Sequence, residues 1–131
     1  MSAMSRDKGH RGELEACAII KELTGCDVRR RVRQHGGDSD LAGLQGWSVE
    51  VKRYRIARPG QIYGGWWPQA VEQARATGTR PLLLYRVDRG LWTAVWPCDL
   101  HTGVRPVRVG YEHTLRADPP TWWAMCKGLT L

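Results

Sequence analysis

The stretch Trp47-Ser48-Val49-Glu50-Val51-Lys52 constrains this chain more than any other. Its apolar and polar residues alternate, and side chains on a strand change face with a period of two. Trp47, Val49 and Val51 therefore share one face, and Ser48, Glu50 and Lys52 share the other. The run reads as a strand extending to Tyr54. A carboxylate and an ammonium side by side on it need a reason.

Upstream, Asp40-Leu41-Ala42-Gly43-Leu44 reads as a short strand and Gln45-Gly46 as a turn, so the two strands form a hairpin. A three-residue loop, Leu44-Gln45-Gly46, needs Gly46 in the left-handed conformation. It sets Gly43 opposite Trp47 and Asp40 across from Glu50, on the same face. A two-residue loop sends Asp40 to the opposite face. The placement of Asp40 depends on that register.

Composition limits what the hairpin can serve. At 131 residues the chain suits a single domain, 1–131, with a core of its own. The net charge is +7, from 20 Lys and Arg against 13 Asp and Glu. Most of that excess is Arg, whose planar fork suits phosphate oxygens, so a polyanion is the expected partner. The alternative is a merely basic soluble protein. Cys17, Cys26, Cys98 and Cys126 form no CxxC pair and read as reduced thiols in a cytoplasmic protein. A zinc site from Cys98, His101, His113 and Cys126 has irregular spacing, and scattered residues are the preferred reading. No apolar run is long enough for a membrane span or a signal peptide.

Residues 1–11 are polar and basic and read as a loose arm. Gly12 to Thr24 has the stripe of a helix at Glu13, Ala16, Cys17, Ile20 and Leu23, with Gly25 as its stop. Glu13 opens that inward stripe. It suits either the helix dipole or a site. Glu15 and Glu22 read as solvated. Asp27 to Gln34 is a strand candidate with Arg29, Arg31 and Arg33 on one face, and Arg30 beside Val28 and Val32 on the other. His35-Gly36-Gly37 connects it to the hairpin. Arg55 to Gly65 reads as a loop, with Arg53, Arg55 and Arg58 around it. Trp66 to Thr77 reads as a helix carrying Gln69 and Gln73 one turn apart, and Trp66 and Trp67 as core or dimer anchors. The apolar run from Pro81 to Val87 is a buried strand, paired with Leu91 to Trp96 across the turn Asp88-Arg89-Gly90. Such a run wants cover on both faces, as in a mixed sheet between helices. Residues 97–131 form a Trp-containing C-terminal extension. It includes a possible edge strand from Val104 to Val109 and a short helix after Asp118 that carries Trp122, Trp123 and Met125.

Glu13, Asp40 and Glu50 converging on one site would repel one another unless a divalent cation lay between them. Hard oxygen donors suit Mg²⁺ or Mn²⁺. Such an ion activates water and stabilises charge on a phosphate, and Lys52 can position that water or offset the charge. The residues thus describe a metal-dependent phosphodiesterase site within a basic protein. The plainer alternative for Glu50 and Lys52 is a solvated ion-pair face. The arginines read either as a solvated basic strand or as phosphate contacts, the latter being preferred beside such a site.

Asp40, a strand, a turn and Glu50-Val51-Lys52 resemble the PD-(D/E)xK nuclease signature. Gly12-Glu13 resembles that superfamily's first motif. The order of motifs is similar to that of the archaeal-type Holliday junction resolvases and their phage relatives, over about residues 8 to 96. The resemblance implies a restriction-endonuclease-like α/β/α core with a central mixed β-sheet. It implies Mg²⁺-dependent cleavage of DNA, often by a homodimer. It makes Glu13, Asp40 and Glu50 metal ligands, Lys52 the residue serving the water, and Gln69 a polar neighbour of the site. Ser39 stands where the family has Pro, and Asp38 is a rival carboxylate.

The expected function is a structure-selective endonuclease on branched or junction DNA, with Arg29, Arg31, Arg33, Arg53, Arg55 and Arg58 contacting phosphates. The alternatives are a nuclease on linear, nicked or flapped DNA, and an inert basic DNA-binding module with a nuclease-like core.

Overall fold

A computed structural model describes residues 3–31, 39–103 and 113–129. The first helix, α1, spans Ala3–Thr24 and so begins nine residues before the expected Gly12, where a loose arm was anticipated. Tertiary contacts account for the difference. Lys8 pairs with Asp88 at 2.7 Å, across the fold. Gly12 lies so close to the sheet that a Cβ there would come within 2.9 Å of the Arg53 Cβ. The helix ends where Gly25 takes a φ of +74°.

Among the described residues, six strands form one sheet in sequential order. They are β1 (Arg29–Arg30), β2 (Leu41–Ala42), β3 (Trp47–Tyr54), β4 (Arg80–Val87), β5 (Thr93–Pro97) and β6 (Thr114–Ala117). β3 and β4 are parallel, and the other neighbours are antiparallel. The parallel pair is joined by α2 (Pro59–Gln61), a π-helical turn (Ile62–Trp66) and α3 (Trp67–Thr77), which ends at Gly78 in the left-handed conformation. Helical structure therefore begins at Pro59, inside the segment expected to be a loop. Two short helices follow, α4 (Asp99–Thr102) and α5 (Pro119–Cys126).

The sheet separates two apolar layers. On one side, Ala16, Cys17 and Ile20 of α1 and Trp122 and Cys126 of α5 pack with Val49, Val51, Leu82, Leu84 and Trp96. On the other, Ile62, Trp66, Trp67 and Ala70 pack with Leu83 and Val95. The run Leu82–Leu84 is thus covered on both faces, as its composition required. The result is an α/β/α arrangement around a mixed sheet.

The chain beyond Pro97 contributes to the same core. Asp118 caps α5 by accepting a hydrogen bond from the Thr121 N–H at 2.7 Å, and Pro119 opens the helix. Trp122 is fully buried, edge-on to Trp47 with ring centroids 5.4 Å apart. Trp66 and Trp67 are core residues as well. The expected strand Asp27–Gln34 is seen as Arg29–Arg30, and its end from Val32 on lies outside the described residues. The expected strand Leu91–Trp96 starts later, at Thr93, and leaves Leu91 exposed. The possible edge strand Val104–Val109 also lies outside the described residues, and β6 takes the edge beside β5.

Candidate active site

Two glycines set the geometry of the hairpin. The Trp47 N–H donates to the Leu44 carbonyl at 3.2 Å, and Gly46 has a φ of +86°. That closes a two-residue turn, which alone would turn Asp40 away from Glu50. Gly43, with a φ of +102°, adds one residue on the β2 side and restores the register. Leu41 pairs with Val49, and the carboxylate of Asp40, the residue before Leu41, acts on that of Glu50. No other residue fits at Gly43, because a Cβ there would collide with the Asp27 carbonyl oxygen. The Asp40 and Glu50 side chains therefore interact, in a hairpin shaped by Gly43 and a two-residue turn rather than by the expected three-residue loop.

The site residues come from four elements or their flanks. Asp40, just before β2, gives its N–H to the Val49 carbonyl and takes the Arg31 N–H on its own carbonyl, both at 3.0 Å. Its side-chain Oδ2 accepts the Val51 N–H at 2.7 Å. Glu50 of β3 is only 2% exposed, and its Oε1 lies 3.5 Å from the Lys52 Nζ. Glu13 of α1 forms an ion pair with Arg30 of β1, Oε2 to Nε at 2.8 Å, without the alignment of a hydrogen bond. Arg30 was legible as the arginine on the valine face, but its pairing with Glu13 was not.

The electrostatics show that these groups sense one another. Burial, followed by the Asp40 charge, pushes the Glu50 carboxyl up to about 8, and Lys52 only partly offsets this. Glu13 is also raised, first by burial and then by Asp40, against the pull of Arg30 and Lys52. Three carboxylates thus share a partly buried region with two cationic side chains.

The other expected site residues differ in exposure and partners. Gln69 is exposed on α3, whereas Gln73, one turn on, is buried with its Oε1 unpartnered. Arg53 is held by Glu15 at 3.2 Å, and Arg86 meets the other Glu15 oxygen at 2.5 Å. Arg53 is therefore tied to α1 by Glu15, and Glu15 is not merely solvated. Arg29 is exposed and pairs with Asp27, Arg31 is half-buried, and Arg55 and Arg58 are exposed. Arg33, His35 and Asp38 lie outside the described residues. His101 accepts from the Trp96 indole N–H at 2.9 Å, with the Cys126 Sγ 3.9 Å away.

The donor set fits a hard divalent cation. It is made of oxygens, carboxylates outnumber nearby cationic side chains, and Glu50 keeps one buried oxygen, Oε2, with no hydrogen-bond partner. Among the described residues no three acidic, His or Cys side chains are already gathered into a metal-coordinating cluster. Side-chain rotation about the Glu50–Lys52 and Glu13–Arg30 pairs would be part of binding.

Comparison with known proteins identifies the arrangement. The family described as "Phage putative PDDEXK endonuclease" matches residues 4–105, a span that contains Glu13, Asp40, Glu50 and Lys52. This chain belongs to that family of phage PD-(D/E)xK endonucleases. Protein D14 of Escherichia phage T5 is 28% identical across 70% of this chain and 70% of its own length. Hjc, a Holliday junction resolvase from the archaeal hyperthermophile Archaeoglobus fulgidus, aligns with a TM-score of 0.49 and 17% identity, over 86% of this chain and 84% of its own. Among the described residues no helix of this family member is long and apolar enough to cross a membrane.

Proposed function

We propose that the chain is a Mg²⁺- or Mn²⁺-dependent DNA endonuclease that hydrolyses phosphodiester bonds in branched DNA, a four-way junction being the best single substrate. The observation that carries this reading is that the Asp40 and Glu50 carboxylates act on each other at the hairpin, with Glu13 and Lys52 in electrostatic reach. Membership of an endonuclease family supports the reaction class.

Glu13, Asp40 and Glu50 would hold the cation. When bound, it supplies Lewis-acid stabilisation of the charged phosphate and a more acidic water. Asp40 is fixed by the Val51 N–H through one of its carboxylate oxygens. Lys52 stands beside Glu50 and orients the attacking water or meets the charge developing on phosphate oxygen. In hydrolysis the water oxygen bonds to phosphorus, the ester P–O bond breaks, and the leaving oxygen takes up a proton. Arg29, Arg31, Arg55 and Arg58 hold the backbone by charge, a mode of binding that follows DNA shape rather than base sequence. Symmetric cutting of two strands suits a two-fold homodimer.

The test is cleavage of a labelled four-way junction and a linear duplex of the same sequence, each in Mg²⁺ and in EDTA. The expected result is Mg²⁺-dependent cutting that favours the junction. Equal rates on both would remove the junction preference and leave a nuclease on linear DNA. No cutting of either would leave a DNA-binding module with an inert core.

A further inference from the structure

Tyr54 continues the face of β3 that carries Glu50 and Lys52. Its ring lies on that of Trp66, with centroids 5.0 Å apart and planes 27° apart. Trp66 is buried and meets Tyr85 in turn, with centroids 5.9 Å apart. Tyr54 is thus backed by the core while remaining 43% exposed. Ile56, two residues on, is 50% exposed, and Arg55 and Arg58 beside it are exposed.

A fixed ring with an open face, an aliphatic neighbour and free guanidinium groups make up the surface that single-stranded nucleic acid uses. The ring takes a base, and the cations take the backbone. Position narrows the occupant. Two residues along a strand is about 6.6 Å, so the ring lies within a nucleotide or two of a phosphate addressed by Lys52. A base stacked within a duplex does not offer its face to such a ring. An unpaired base at a branch point, or one easily opened there, does.

We infer that Tyr54, backed by Trp66 and flanked by Ile56, is a stacking platform for an unpaired base beside the scissile phosphate, and that it selects DNA with interrupted pairing. This rests on the DNA endonuclease reading above and adds a residue that sets its substrate preference.

The test uses a four-way junction with 2-aminopurine at the branch point, bound by the full chain in EDTA so that nothing is cut. Wild-type binding quenches the fluorescence. Tyr54→Leu, which keeps apolar cover over Trp66 but removes the ring, abolishes the quenching. It weakens junction binding roughly tenfold and leaves binding of a linear duplex within about twofold. Tyr54→Phe retains both properties. Ile56→Ala, at an exposed position, reduces the quenching. Full quenching by Tyr54→Leu, or equal losses on junction and duplex, overturns the inference. So does a change from dimer to monomer in Tyr54→Leu, which would mark a protein contact. Wild-type protein that cuts in Mg²⁺ and binds without quenching removes the stacking role alone. Wild-type protein that binds neither DNA removes it together with the DNA reading.

Discussion

The Asp40 carboxylate accepts a hydrogen bond from the Val51 N–H at 2.7 Å. One side chain therefore both completes the pairing of β2 with β3 and brings negative charge next to Glu50. The two roles separate by mutation. Asp40→Asn retains an oxygen that can accept the same bond, so stability should stay within about 1 kcal/mol of wild type. Its cleavage rate should fall at least a hundredfold, because an anionic oxygen is lost from the proposed cation site. Asp40→Ala should lose the same activity and, in addition, about 1–3 kcal/mol of stability by leaving the Val51 N–H unpaired. Urea unfolding and single-turnover cleavage measure the two effects.

The raised Glu50 carboxyl makes stability depend on pH. Its folded value of about 8 lies above the ordinary 4.5, so between those values the folded chain binds a proton that the unfolded chain has released. Stability of the metal-free protein should therefore fall as pH rises from about 4.5 to about 8, then level off. The raised Glu13 contributes in the same direction. A tenfold change in proton affinity corresponds to about 1.4 kcal/mol, so the loss should amount to a few kcal/mol. Glu50→Gln should flatten the profile. Added Mg²⁺ should stabilise wild type more at pH 8 than at pH 6, since it competes with that proton. Urea midpoints across pH 5–9 test this, and a profile unchanged by Glu50→Gln would contradict it.

Glu15 joins α1 to the sheet through Arg53 and Arg86, and it accepts the Trp92 indole N–H at 3.3 Å. Glu15→Ala should cost about 1–3 kcal/mol, because two partly buried guanidinium groups lose their carboxylate. Arg53→Ala should act the same way. It should lower stability while leaving the salt dependence of DNA binding close to that of wild type. A loss of DNA affinity with unchanged stability would return Arg53 to the phosphate-binding arginines.

Arg55 and Arg58 are exposed just beyond the end of β3, and Arg31 lies next to Asp40. Each replaced by Ala should weaken junction binding and lower the slope of log affinity against log salt by about 0.9 for every phosphate no longer neutralised. Binding measured at several salt concentrations gives that slope. If Arg31→Ala abolishes cleavage at unchanged affinity, Arg31 acts in the chemistry instead.

The hairpin was legible because its alternation has a period of two and Gly46 marks the turn. Asp40 and Glu50 were expected close together and their side chains do interact, in a hairpin whose turn has two residues rather than three. The start of α1 was not legible, since its first turns carry no apolar stripe and are tied down partly by Lys8 on distant Asp88. The π-helical turn was read as a loop because Gly64 and Gly65 disfavour helix locally. Burial of Ile62 and Trp66 against the sheet overrides that preference. The pairing of Arg53 with Glu15 was not legible, because Glu15 lies far upstream. Gln69 and Gln73 differ by one helical turn, and only packing shows that Gln73 is the buried one. Long-range partners, rather than local pattern, account for most of these differences.

In the proposed mechanism Glu50 serves divalent-cation-dependent cleavage at this site. Single-turnover cutting of a four-way junction by wild type and by Glu50→Gln, each in Mg²⁺ and in EDTA and with binding measured in parallel, tests it most directly. Wild type should cut only in Mg²⁺, and Glu50→Gln should bind the junction no more weakly yet cut at least a thousandfold more slowly. Cutting by wild type in EDTA, or cutting by Glu50→Gln at the wild-type rate, would contradict the account.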